Sequence, residues 1–442
     1  MTIHSEYSLS LTGSDQDSLA TYEHALVQLQ CYIDDPVATV DQAIATSPAF
    51  VMAHMLKAYL HLLGTEPVDI AIARHCLQAT TRLNGNRHEQ QHQQAVRHLV
   101  EGRWQQAGRT LEDITIDHPH DILALQAGHL VDFYTGNSRM LRDRIARVFP
   151  YWHKEMPGYH AVLGMYAFGL EETGVFDEAE RFGRESISLN PRDGWGQHAV
   201  AHVMESQGRT REGIVWMREN VGDWSTESFF QVHNWWHLAL YHLELDEIDE
   251  VFKLFDGPIY GERSNVVLDM VDASAMLWRL HLRGIDVGDR WQAVADNWAP
   301  IATAGNYAFN DLHAVMAFVG ADRPEAIQQL VDAQQAAMQK DDDNARFTRD
   351  VGHPLTLAVK AFAEGDYHRT VELIRPVREI AHRFGGSHAQ RDVINLTLIE
   401  AALRSGDTRL ASALAAERSA RRPASPLSRL FILRADNLGA AA

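Results

Sequence analysis

The stretch His160 to Pro191, HAVLGMYAFGLEETGVFDEAERFGRESISLNP, places the strongest constraint on what this chain can fold into. It reads as a helix, a turn at Gly174, a second helix and a proline stop. Counted from His160, Gly174 stands fifteenth, Ala179 twentieth and Pro191 thirty-second. The same three places hold Gly102, Ala107 and Pro119 counted from His88, and Gly406, Ala411 and Pro423 counted from Asp392. Gly64, Gly136, Gly208 and Gly365 stand fifteenth from Phe50, Ile122, Gly194 and Val351, and Gly213 stands twentieth from Gly194. Weaker units begin near Val232, Met270 and Tyr307, and a further helical pair, broken at Asp34-Asp35-Pro36, precedes them all. Glycine ends the first helix, the small residue lets two antiparallel helices approach, and proline closes the second.

This arrangement follows the 34-residue tetratricopeptide pattern. It predicts an all-α chain, a right-handed α-solenoid of about eleven tetratricopeptide-like helix pairs curved into a superhelix with one concave face. Residues 1–49 are expected as an N-terminal helical pair, 50–425 as the superhelix, and 426–442 as a tail capping the last repeat. In that tail the run Leu430-Phe431-Ile432-Leu433 is expected to cover the last apolar face. Gly222-Asp223 reads as an exposed loop. No alternating β-branched segment is long enough to build a sheet.

Composition narrows the function classes. Of 442 residues, 40 are Lys or Arg and 59 are Asp or Glu, a net charge of -19. Such a charge predicts no nucleic acid and no anionic membrane as partner, since a polyanion would be repelled. No stretch of 18 apolar residues and no leader pattern is visible. Two cysteines, Cys31 and Cys76, show no paired spacing and point to a reducing, cytoplasmic setting. Histidine is the unusual entry in the composition: there are 24, and protonating all of them would carry the charge from -19 to +5.

Many of those histidines share one stripe. In a tetratricopeptide unit the second, fifth, ninth and twelfth residues of the first helix face the groove, because the helical period puts them on one side. His198, His202 and Glu205 are fifth, ninth and twelfth in their unit. His54 and His92 are fifth in theirs, with Glu89 second beside His92, and Asp311 is again fifth. His233 is second in a weaker register, with His237 one turn on. Imidazoles and carboxylates in such a row suit metal binding or proton transfer. His198 and His202, at i and i+4, are the expected ligands if a divalent metal ion is bound, and no other cofactor is indicated. A histidine on this stripe can equally hydrogen-bond a neighbouring helix, so both readings stand.

Residues 157–217 carry a more specific likeness, as do RHEQQHQQA at Arg87 to Ala95, HNWWHLALYHLE at His233 to Glu244 and NDLHAVMAF at Asn310 to Phe318. Together they resemble the tetratricopeptide-repeat protein 38-like family, over roughly residues 20 to 430. The resemblance implies a helical-repeat protein and places His92, His198, His202, His233, His237, Asp311 and His313 in recurrent motifs. It implies no defined activity.

His88-Glu89-Gln90-Gln91-His92 matches H-E-x-x-H, the zinc-protease motif. Ala95 stands where the longer form of that motif needs glycine, so the helix continues and carries His98 away. At about 1.5 Å rise per residue, His98 lies roughly 15 Å along the axis from His88. The motif is therefore read as groove residues Glu89 and His92 after a helix start at His88. No phosphate loop, dinucleotide fingerprint or nucleophile elbow occurs. Two functional readings remain. One is a binding protein whose His-rich groove holds a peptide, a partner protein or a small-molecule ligand. The other is an enzyme or metal-binding protein working through an inward His and Asp/Glu cluster.

Overall fold

The computed structural model describes residues 3–441, and it is helical almost throughout. Along the chain run α1 (Gln16–Cys31), α2 (Pro36–Thr46), α3 (Val51–Leu62), α4 (Asp69–Thr80), α5 (Arg87–Val100), α6 (Trp104–Asp117), α7 (Ile122–Tyr134), α8 (Ser138–Val148), α9 (Tyr159–Glu171) and α10 (Phe176–Leu189). They are followed by α11 (Gly194–Ser206), α12 (Thr210–Arg218), α13 (Val221–Ser225), α14 (Gln231–Glu244), α15 (Ile248–Leu254), α16 (Val267–Leu282), α17 (Arg290–Trp298), α18 (Ala308–Gly320) and α19 (Pro324–Ala337). The last six are α20 (Asp343–Phe347), α21 (His353–Ala363), α22 (Tyr367–Ile374), α23 (His388–Arg404), α24 (Thr408–Arg421) and α25 (Pro426–Ala441). Setting aside the short α13 and α20 and the terminal α25, they fall into eleven successive pairs, the tetratricopeptide-like repeat fold the sequence predicts.

The turn inside each pair has a common cause. Gly102, Gly136, Gly174, Gly208, Gly365 and Gly406 all adopt left-handed backbone, with φ from 65° to 80°. At Gly174 the next amide, Val175 N–H, reaches back to the Leu170 carbonyl at 2.9 Å, closing the helix end. Two of the weak units obey the same rule, with Gly284 and Asp246 left-handed at the fifteenth place, while in the Tyr307 unit Asp322, one residue further on, takes φ 55°. The Phe50 unit departs from it: Gly64 is not left-handed, and Thr65 one residue on takes φ 62° instead.

The chain divides into two compact units. One holds the residues up to Val200 together with Asn220–Asn234; the other holds Ala201–Glu219 and everything from Trp235 onward. In the first, α1 to α10 pack each on the next. Its far ends also meet: the Gln126 side chain donates to the Leu29 carbonyl at 3.0 Å, and the rings of Tyr32 and Trp195 stack at 5.5 Å. In the second, α16 packs directly on α23, where Trp278 Nε1 donates to Thr397 at 3.0 Å. A one-dimensional stack would touch only neighbours. Within each unit helices distant in sequence meet as well, and the stripes expected to face an open groove are largely buried.

Three local expectations are corrected. Gly222-Asp223 is part of α13 rather than a loop. The terminal helix α25 packs on α24 and α23, but of its apolar run only Phe431 is buried, while Leu430 and Leu433 are exposed because they lie on the outer side. A two-stranded ribbon, Ile3–His4 with Ser10–Leu11, precedes α1 where only helices were expected.

Two glycines should separate backbone strain from crowding. A β-carbon at Gly213 would stand 2.3 Å from the Tyr241 ring, whereas one at Gly174 meets nothing within 4 Å but carries φ +80°. Gly213→Ala should cost about 1–3 kcal/mol through overpacking, and Gly174→Ala about 1 kcal/mol through backbone strain. Denaturant unfolding of both variants checks the order; a Gly213→Ala variant as stable as the parent would refute the close helix approach.

Candidate functional site

Three clusters of imidazole and carboxylate groups stand out, two in the first unit and one in the second. The first is built on Asp121, the N-cap of α7, whose Oδ1 accepts the Ala124 amide at 2.8 Å. Its Oδ2 accepts from His88 Nε2 at 2.5 Å and His92 Nε2 at 2.9 Å, both on the first turns of α5. His92 Nδ1 pairs with the Tyr59 hydroxyl at 3.1 Å, and the His118 ring stands edge-on to His88. All three central residues are buried.

Burial alone would raise the Asp121 carboxyl, but the two imidazoles outweigh it and hold the group well below the usual carboxylate range. Burial disfavours the His88 imidazolium, yet the hydrogen bond and charge of Asp121 prevail and raise its pKa. At His92 burial prevails and the pKa falls.

The expected groove residues Glu89 and His54 are otherwise engaged. Both Glu89 oxygens accept backbone amides, from Thr12 at 2.7 Å and Asn86 at 2.8 Å. Glu89 is a buried capping residue, so it is not available as the base of a zinc protease, and it does not line a groove. His54 is buried and bonds the Pro48 carbonyl at 3.0 Å.

The second cluster is the facing pair His198 and His233, whose Nε2 atoms lie 3.2 Å apart against the Phe168, Trp195 and Phe230 rings. The third, in the other unit, joins His202, His237 and Glu205. The two rings are 4.5 Å apart, and His237 Nδ1 lies 3.5 Å from Glu205 Oε2. The other Glu205 oxygen accepts from Arg422 at 3.1 Å. Burial would raise Glu205, but His237 and Arg422 bring it down to about 2. Thus α11 carries both His198 and His202 one turn apart, each matched by a histidine of α14 within its own unit.

Asp311 and His313, also in the second unit, do not join these groups. His313 is buried, bonds the Phe309 carbonyl of its own helix at 2.8 Å, and is pushed down to about 4 by burial. Asp311 meets only the Gln334 amide at 3.2 Å, and burial pushes its carboxyl up to about 7.

The sequence reading missed Asp121 and with it a recurring device. His160 Nδ1 bonds Asp193 at 2.8 Å, and Asp193 accepts the Gly196 amide at 2.9 Å at the start of α11. In both cases the first residue of one repeat holds the capping aspartate of the next, 33 residues on. The signal was present as His88 with Asp121 and His160 with Asp193. It also missed Arg422 and the Arg418 to Asp392 bridge at 2.8 Å. These line a small cavity of about 50 Å³ with Arg279 and Glu244 in the second unit.

No protein-family model matches the chain. Among solved structures it is similar to the human IFIT1 dimer with m7Gppp-AAAA, at 14% identity over 97% of this chain and 96% of that one, with a TM-score of 0.39. It is also similar to yeast Tom70, at 11% identity over 97% and 96% with a TM-score of 0.33. The APC/C hetero-tetramer Cut9-Hcn1 matches at 13% identity over 95% and 96%, with a TM-score of 0.32. Likenesses at this level carry no argument about ligand or activity, and the repeat fold rests on the helices themselves. They give no support to the expectation that nucleic acid is excluded. No helix among the described residues is long and apolar enough to cross a membrane.

Two outcomes follow from this geometry. Asp193→Ala removes a cap and leaves His160 and Ser186 facing a vacated buried site, and should cost about 3 kcal/mol in denaturant unfolding; a loss under about 0.5 kcal/mol would show that the clamp contributes nothing. Asp311 binds its proton more tightly in the fold, near 7, than in the unfolded chain, near 3.8. Its contribution is therefore complete below 3.8 and lost as the pH rises through about 7. Asp311→Asn stays neutral throughout, so it should raise Tm more at pH 8 than at pH 5, by the equivalent of about 2 kcal/mol. Equal shifts at the two pH values would contradict an ionisation cost at this site.

Proposed function

We infer that the protein is a helical-repeat binding protein whose repeats grip an extended polypeptide segment. The observation that carries this reading is the way the first unit holds residues 6–12 of its own chain. The Glu6 amide donates to Glu23 at 2.7 Å, the Asn86 side chain donates to the Ser10 carbonyl at 2.8 Å, and the Thr12 amide donates to Glu89 at 2.7 Å. Tyr7 and Leu11 are buried as anchors, and the Tyr7 hydroxyl accepts from Gln30 at 3.0 Å. Main-chain bonds give such a complex affinity, and the anchor pockets give it selectivity.

No lysine or arginine is among these partners, so an acidic peptide tail is not the ligand they suit. A neutral extended segment with an aromatic and an aliphatic anchor four residues apart is. The likeness of residues 157–217 and of three shorter segments to the tetratricopeptide-repeat protein 38-like family supports the helical-repeat part of this reading. Cys31 and Cys76, both buried and unbridged, suit a reducing compartment such as the cytoplasm. A second reading, metal-assisted or acid-base chemistry on a small molecule, is favoured by one observation, the convergence of His202, His237 and Glu205.

The test uses the full chain and a labelled peptide of residues 3–14. The double variant Tyr7→Ala, Leu11→Ala loosens the native occupant, so it should bind the wild-type peptide at least tenfold more tightly than the unaltered chain, read by fluorescence anisotropy. Peptide carrying the same two alanines should not bind. If the folded double variant takes up neither peptide, the ribbon is merely part of the fold and the reading fails.

A further inference from the structure

We propose that His88, His92 and Asp121 form a binding site for a divalent transition-metal ion, of the zinc class, inside the first unit. The inference is independent of the peptide reading. Three groups of ligating type place His88 Nε2, His92 Nε2 and Asp121 Oδ2 within 4.8 Å of one another, in a buried setting. Two imidazoles and one carboxylate are a common protein contribution to a four-coordinate zinc site with one further position.

The His160 and Asp193 clamp is an internal control, because it shows what the fold alone requires. There one histidine and Ser186 satisfy the capping aspartate, and the position matching His92 is Gly164. The Asp121 site has the same clamp plus a second imidazole brought to the same oxygen, fully buried, which the clamp does not need.

The surroundings of that second imidazole suit a ligand. A metal-bound histidine donates its other ring N–H to an oxygen, which fixes its tautomer. His92 Nδ1 stands 3.1 Å from the Tyr59 oxygen, and the Tyr59 hydroxyl reaches the His92 carbonyl at 3.5 Å. With an ion in the site, Nδ1 would donate to Tyr59, which would pass its own proton on to that carbonyl, and the Nε2 that otherwise donates to Asp121 would be freed as a ligand. A cavity of about 10 Å³ borders Asp121 together with Tyr7 and Leu11, close to the least space that holds one water; neither histidine lines it. Two neutral imidazoles and one carboxylate leave the bound dication with a single net positive charge.

The test is equilibrium dialysis of the metal-stripped full chain against Co2+ and Zn2+, with metal counted by mass spectrometry and Co2+ followed by its visible absorption. The wild-type chain should bind one ion at this site, with the d–d bands of a four-coordinate N/O site. His92→Gln and Asp121→Asn should each weaken that ion roughly 100-fold, and His160→Gln should leave it unchanged. Asp121→Asn retains a capping side chain, and circular dichroism establishes that each variant is folded. Failure of the wild-type chain to bind either metal below millimolar concentration would overturn the proposal. So would binding that both variants retain, since the metal would then lie elsewhere.

Discussion

Every hairpin in this chain has an apolar face that it cannot bury by itself, and the rest of the structure follows from that constraint. A pair of helices 11 to 14 residues long is too short to be stable in water alone, so α3 with α4, or α9 with α10, depends on the pair before and the pair after. The alanines at the twentieth place, Ala107, Ala179 and Ala411, are buried because helices must come close there. Where the residue is larger on one side, the other side gives way. Gly128 accommodates the Arg144 guanidinium, which bridges from α8 to Asp132 of α7 at 2.8 Å and to the Gly108 carbonyl of α6 at 3.1 Å. A buried arginine of this kind ties three helices to one register, and losing either partner would strand a charge.

Stacking also decides the fate of the inward polar stripe. An open groove would leave those side chains to water. Instead, contacts such as Trp278 to Thr397 and Gln126 to Leu29 draw distant helices together within a unit, so imidazoles and carboxylates meet each other rather than solvent. Buried polar groups must then find partners or change protonation. Asp121, with two imidazoles, stays ionised; Asp311, with one amide, is pushed toward its neutral form. The same residue type, a helix cap in one repeat and an inward stripe residue in another, thus has opposite charge behaviour, set by its neighbours.

The fold was largely legible because its determinants are local. A left-handed residue is needed every time the chain reverses inside a hairpin, and Gly102, Gly174 and Gly406 announce it. Where threonine or aspartate takes that conformation, at Thr65 and Asp246, the signal is faint, and those units read as weak or misplaced. The candidate site was half legible. Helical spacing puts His198 with His202 and His88 with His92 from sequence alone. It cannot say that Glu89 turns back onto backbone amides, or that Asp121, 29 residues beyond His92, caps the next helix with one oxygen and holds two histidines with the other. The ribbon at Ile3–Leu11 left no mark either, because two-residue strands have too little periodicity to detect and owe their place to Tyr7 and Leu11 finding pockets.

That ribbon links the two features of the first unit. Glu89 accepts the Thr12 amide from it, and Tyr7 and Leu11 border the small cavity beside Asp121. The low dielectric that strengthens the Asp121 hydrogen bonds is therefore partly supplied by the N-terminal segment. An extended chain seated in its place would have to match both anchors to keep water away from the carboxylate. A poor match would hydrate Asp121, weaken its hold on His88 and His92, and loosen α5 from the start of α7. Selectivity at the anchors and integrity of the buried cluster are, on this geometry, two consequences of the same packing.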